Sequence, residues 1–130
     1  MSYYTSTTLK TQDFDQALEQ VTAALKEEGF GVLTEIDVKS TLKKKIDVDF
    51  KKYRILGACN PGYAHKALSA EDKIGVFLPC NVVVEENDSG AIEVSAVDPI
   101  ASMASVENDQ LGPIATEIKA KLEKVISNLD

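Results

Sequence analysis

The sequence has no tryptophan, one histidine, two methionines and two cysteines in 130 residues, and only 6% of it is aromatic. Each shortage closes a class. Two cysteines are not the framework of a disulfide-stapled secreted domain, so reduced thiols are expected. A four-ligand zinc site built from Cys and His in one chain is excluded, since His65 is the sole imidazole. No run approaches the ~18 apolar residues a membrane span requires. The opening "MSYYTSTTLK" lacks the basic-then-apolar order of a secretory signal, which makes a cytoplasmic location the expectation. There is no glycine-rich phosphate loop: Gly29 and Gly31 follow a helix, whereas a dinucleotide fingerprint opens one. No serine nucleophile motif is present either.

A surplus of positive charge is missing as well. The net charge is −7, which argues against nucleic acid, because such binding is driven by Lys and Arg neutralising phosphates. The distribution is uneven. Residues 39–54, "KSTLKKKIDVDFKKYR", hold seven of the fourteen basic residues and two acids, a local +5 in a remainder of −12. This segment reads as a solvated face or as the rim of a site for an anionic group, with Lys39, Lys43 and Arg54 as its candidates.

What is present is enough apolar material for a core: 44% hydrophobic residues in a chain of common domain length. Residues 2–9 suit an edge strand. Phe14, Ala17, Leu18, Val21, Ala24 and Leu25 recur at helical spacing, with Asp13 and Gln16 placed as a capping box and Gly29 as the stop. "FGVLTEIDV" alternates as a strand, with Val32, Thr34 and Ile36 on one face and Leu33, Glu35 and Asp37 on the other. A short basic helix over 38–45 and a strand over 52–59 follow. Asn60-Pro61 opens a helix, with Asn as cap and Pro in the first turn. "IGVFLPCNVVVEE" reads as a long strand broken by a bulge or bend at Pro79-Cys80, since Pro79 cannot donate to a ladder. "NDSG" turns it into a hairpin with "AIEVSAV", and Asp98-Pro99 ends that strand. The stripe Leu111, Ile114, Ala115, Ile118, Leu122, Val125, Ile126, Leu129 marks a C-terminal amphipathic helix, with Glu117–Lys121 and Lys119–Glu123 spaced as ion pairs on its wet side. The pattern is one α+β domain over residues 1–130, a mostly antiparallel sheet with helices on one face.

Both cysteines stand beside an asparagine and near a proline: Cys59-Asn60-Pro61 and Pro79-Cys80-Asn81, with twenty residues between the thiols. That spacing fits no zinc motif. Cys59 precedes a helix start, where partial positive charge lowers a thiol's pKa; equally, free Cys is a small buried apolar residue. Cys80 sits where a bulge would re-aim it, or simply packs. Brought together, the two thiols could hold a sulfur species, a soft metal or a switchable disulfide. Asn60 and Asn81 suit backbone bracing. Glu35 and Asp37 share a strand face and suit acid–base work or plain solvation, with Lys39 continuing that side.

The strings "GFGVLTEIDVKSTLKKK", "YRILGACNP", "IGVFLPCNVVV" and "VDP" resemble the bacterial and archaeal family called domain of unknown function 302, from about Phe14 to the last helix. The resemblance implies a curved antiparallel sheet related to the TATA-binding-protein-like fold, and homodimers. It implies no activity, catalytic residue or cofactor. The site candidates are therefore Cys59, Asn60, Pro61, Cys80, Asn81, Glu35 and Lys39, for a small anionic or thiol-reactive ligand, in a ligand-binding or thiol-redox module. The alternative is a homodimeric interaction protein whose signature residues are architectural.

Overall fold

The computed structural model describes residues 2–129. Five strands, β1 (Tyr4–Thr8), β2 (Gly31–Asp37), β3 (Tyr53–Cys59), β4 (Cys80–Glu86) and β5 (Ile92–Val97), form one sheet in the order β1-β5-β4-β3-β2. Every neighbouring pair is antiparallel. Helices α1 (Phe14–Glu27), α2 (Val38–Ile46), α3 (Pro61–Ala70), α4 (Pro99–Ser102) and α5 (Leu111–Asn128) complete the α+β fold, with a 3-10 turn at Asp72–Phe77.

Strict alternation in the two central strands decides where the core lies. Val82, Val84, Val94 and Ala96 are fully buried, while Val83 and Ser95 between them are half-exposed. The buried side meets α1 through Ala17, Val21 and Leu25, and α5 through Ile118, Leu122 and Val125. These are the helical stripes legible in the sequence, and burying each large side chain is worth about 1.5–3 kcal/mol before entropy. A second small cluster joins Ala67 of α3, Ile74 of the 3-10 turn, Met103 and the start of α5 at Leu111 and Ala115.

The caps follow chemistry that is partly the expected one. Asp13 Oδ1 accepts from Gln16 N at 3.1 Å, but the reciprocal half of the box is replaced: Gln16 Oε1 accepts from Thr11 Oγ1 at 2.7 Å, and Thr11 Oγ1 accepts from Asp13 N at 3.1 Å. Gly29 ends α1 at φ +86, the left-handed region that glycine enters without steric cost. The turn at 87–90 closes the β4–β5 hairpin, with Gly90 at φ +87.

Three expectations are corrected. The apolar run 74–86 is not one bent strand. Residues 72–77 coil as a 3-10 turn that leaves Val76 79% exposed, and the ladder starts only at Cys80, after the proline that lacks a donor. The bulge lies instead in β2, between Val32 and Thr34, with Leu33 thrown out at 68% exposure. It switches the phase of the strand: Val32 faces Ala58 before it and Glu35 faces Leu56 after it, so alternation does not run through β2. On α5, Lys119 reaches Asp98 at 3.1 Å rather than Glu123, and Lys121 lies 5.9 Å from the Tyr63 ring rather than on Glu117.

Asp98 gives the fold an acid-sensitive joint. It caps α4, accepting from Ile100 N at 2.9 Å and Ala101 N at 3.3 Å. Burial pushes its carboxyl pKa up, but the Lys119 ammonium and these two N–H groups outweigh that and hold it below the ordinary value. A depressed carboxylate stabilises the fold fully above its unfolded-state pKa, near 4, and loses that contribution as pH falls through the folded value. Urea titrations of wild type and Asp98→Asn are therefore expected to differ at pH 6 and to converge as the pH drops toward 2.

Candidate functional site

β3 and β4 carry the two cysteines to one end of the sheet. Cys80 opens β4 opposite Ala58, and Cys59 closes β3 opposite Gly31 of β2. Both border a cleft of about 270 Å³ between this sheet end and α3. Apart from Asn60 its other walls are apolar, among them Ala64 and Leu68 of α3, Leu78, Phe30, and Leu33 from the bulge. No charged side chain lines it. Both cysteines are free thiols, Cys59 half-buried and Cys80 at 6% exposure.

The two thiols are unequal. Burial, and secondarily the neighbouring Cys59, push the Cys80 pKa up to about 11. Cys80 is therefore a protonated thiol at neutral pH and a poor nucleophile. Cys59 stands at the strand-to-helix joint, reachable from solvent.

Asn60 does not cap α3. No side chain caps this helix; the Asn60 Nδ2 instead donates to the Glu28 carbonyl at 3.2 Å, tying the end of α1 to the start of α3. Gly29 makes the tie possible, because a Cβ there would come within 3.1 Å of Asn60 Nδ2. The long-range bond wins over the local cap, which leaves the first-turn N–H groups of Gly62 and Tyr63 beside Cys59 without a side-chain partner. Pro61 occupies the first turn as expected.

The remaining candidates are elsewhere. Asn81 points away from the cleft: it is exposed, opposite Gly57, in a shallow groove of about 340 Å³ on the helix-free face with Tyr4, Tyr53 and Glu85. Glu35 accepts from Arg54 at 2.8 Å, and Asp37 takes the other arm of the same guanidinium at 3.2 Å while capping α2 through Ser40 N. This carboxylate pair is thus clamped by Arg54. Lys39 donates to the Phe50 carbonyl at 2.6 Å, near the start of α1 and far along the sheet from the cysteines. His65 is exposed on α3. Among the described residues, no group of three or more His, Cys, Asp and Glu side chains is placed to hold a metal ion, so any metal in the cleft would rest on the two thiols. No helix among them is long and apolar enough to cross a membrane.

Sequence reasoning missed Phe30, Leu33 and Gly57. A glycine amid "YRILGAC" was the available signal for Gly57: an added Cβ would lie 2.7 Å from Pro79 Cγ and within overlap of Thr34 Oγ1, so the two side chains close over it.

Comparison with known proteins agrees with this architecture. The crystal structure of an uncharacterized conserved protein DUF302 from Bacillus stearothermophilus superposes with a TM-score of 0.92 at 27% identity, covering 100% of both chains. No curated protein matches the sequence. The family model for domain of unknown function DUF302 matches residues 5–129, and the chain belongs to that family.

Proposed function

We propose that the protein binds a small uncharged molecule in the cleft between α3 and the end of the sheet. One observation carries this reading: the cleft that both cysteines border is walled by apolar side chains and carries no charge. A charged ligand would be desolvated there without a counter-ion, at a cost no contact offsets. An apolar ligand of up to about 270 Å³ gains by leaving water and by dispersion against Leu68, Leu78 and Phe30. The anionic ligand expected from the basic segment is not favoured at this place, because Lys39 and Arg54 are spent on other partners. A thiol–disulfide role is also less favoured than binding, since Cys80 resists deprotonation.

The neutral fluorophore N-phenyl-1-naphthylamine tests it. Wild type is expected to bind it saturably at one site, and Ala64→Trp, which fills the cleft, is expected to abolish binding while keeping a native circular dichroism spectrum. Equal binding by a folded Ala64→Trp protein contradicts the reading.

A second reading keeps the function on a surface. The sheet face opposite the helices exposes Tyr4 at 42% and Ile36 at 48%, beside Tyr3 at 68%. Such a face suits a homodimer or accessory partner. Light scattering at micromolar concentration separates the two: a monomer removes the homodimer and leaves the cleft.

A further inference from the structure

We propose that Cys59 captures uncharged α,β-unsaturated carbonyl compounds held in the cleft, forming a thioether. The inference rests on the cleft-binding reading and names the ligand class that reading leaves open.

Two features point to Cys59. Cys59 borders an apolar cleft, so neutral carbon skeletons are concentrated beside it. The thiolate of a half-buried cysteine such as Cys59 is a soft nucleophile, matched to the polarisable β-carbon of a conjugated carbonyl.

The step is balanced without a redox partner. The Cys59 thiol loses its proton to water, Sγ bonds to the β-carbon, and the carbon–carbon π pair moves toward the carbonyl oxygen. The α-carbon then takes a proton from water. Thiol and alkene become a thioether, and nothing is oxidised or reduced overall. Cys80 remains a protonated apolar wall, which restricts capture to one sulfur and explains how two cysteines share a cleft with unequal roles. The lack of charge in the lining selects against hydrophilic acceptors such as maleic acid, whose carboxylates would be buried unpaired.

The test is mass spectrometry with peptide mapping on native protein exposed to trans-2-hexenal. One adduct on Cys59 is expected, forming at least roughly tenfold faster than on the same thiol in urea-unfolded protein, since the cleft holds the reactants together. Ala64→Trp is expected to lower the rate to the unfolded value. Maleic acid is expected to show no such native-state advantage. A native rate equal to or below the unfolded rate overturns capture. Binding of N-phenyl-1-naphthylamine locates the fault: if wild type still binds it, the cleft reading stands and capture alone fails; if it does not, both fail.

Discussion

Gly57→Ala is expected to lower stability by about 1–3 kcal/mol, the usual cost of forcing a methyl into filled space. Gly57 is buried at the centre of β3, paired with Thr34 on one side and Asn81 on the other. The new methyl would meet Thr34 Oγ1 in overlap and Pro79 Cγ at 2.7 Å. Thr34 is an exposed edge residue and can turn its hydroxyl away, but the Pro79 ring is held by the strand start at Cys80 and has no such freedom. The double variant Gly57→Ala/Thr34→Ala should therefore recover only part of the loss. Urea denaturation measures both. Full recovery would show that Pro79 yields, and that the β3–β4 joint next to the thiols is softer than its packing indicates.

Gly29→Ala is expected to cost about 1–3 kcal/mol as well, for a different reason. Gly29 has φ +86, where any side chain strains the backbone, and its Cβ would press on Asn60 Nδ2 at 3.1 Å. The strain is local, but the displaced amide makes the Asn60–Glu28 bond that joins the end of α1 to the mouth of α3. Loss of stability should thus come with a change near Cys59. Hydrogen exchange is expected to be faster in Gly29→Ala than in wild type at Ala64, whose N–H donates to the Asn60 carbonyl at 2.9 Å, with the β4–β5 hairpin unchanged. A stability loss without that local effect would mean that the Asn60–Glu28 bond does not organise the cleft.

Most of the fold was legible because its elements announce themselves by period. The α5 stripe, the α1 stripe with its Asp13 cap and Gly29 stop, and the hairpin over "NDSG" all form where spacing and turn chemistry put them. The failures are places where a long-range partner beat a local rule. Asn60 looks like a cap in sequence, yet its amide goes to Glu28, thirty-two residues away in the chain. Lys119 looks paired with Glu123, yet turns to Asp98 across the fold. The bulge at Leu33 carries no glycine or proline to mark it, so the phase switch that sends Glu35 to the Leu56 face was invisible.

The candidate site was half legible. Cys59 and Cys80, which stand out in sequence by their matching asparagine neighbours, border one cleft, and Asn60 lies in its wall. Asn81 adjoins Cys80 in sequence, but adjacent strand residues face opposite sides, and it belongs to the other face of the sheet. Glu35 and Lys39 stand out in sequence by their charge, but an ion pair and a backbone carbonyl absorb them. The apolar walls could not be read as a cleft at all. Leu33, Leu68 and Leu78 are far apart in the chain, and only the bulge and the 3-10 turn bring them around the thiols.

Two unequal thiols border one apolar space, and that arrangement is open to a direct test. Phenylarsine oxide addresses it directly, because its arsenic bonds two sulfurs at once, releasing the oxide as water, and its phenyl ring needs an apolar seat. Intact-mass analysis of native protein should show a single phenylarsenic group, mapped to Cys59 and Cys80 together, removable by excess dimercaptopropanol, and absent from Cys59→Ser and Cys80→Ser. A native protein whose Cys59 is alkylated by iodoacetamide, yet which takes up no bridging arsenic, would contradict the shared cleft.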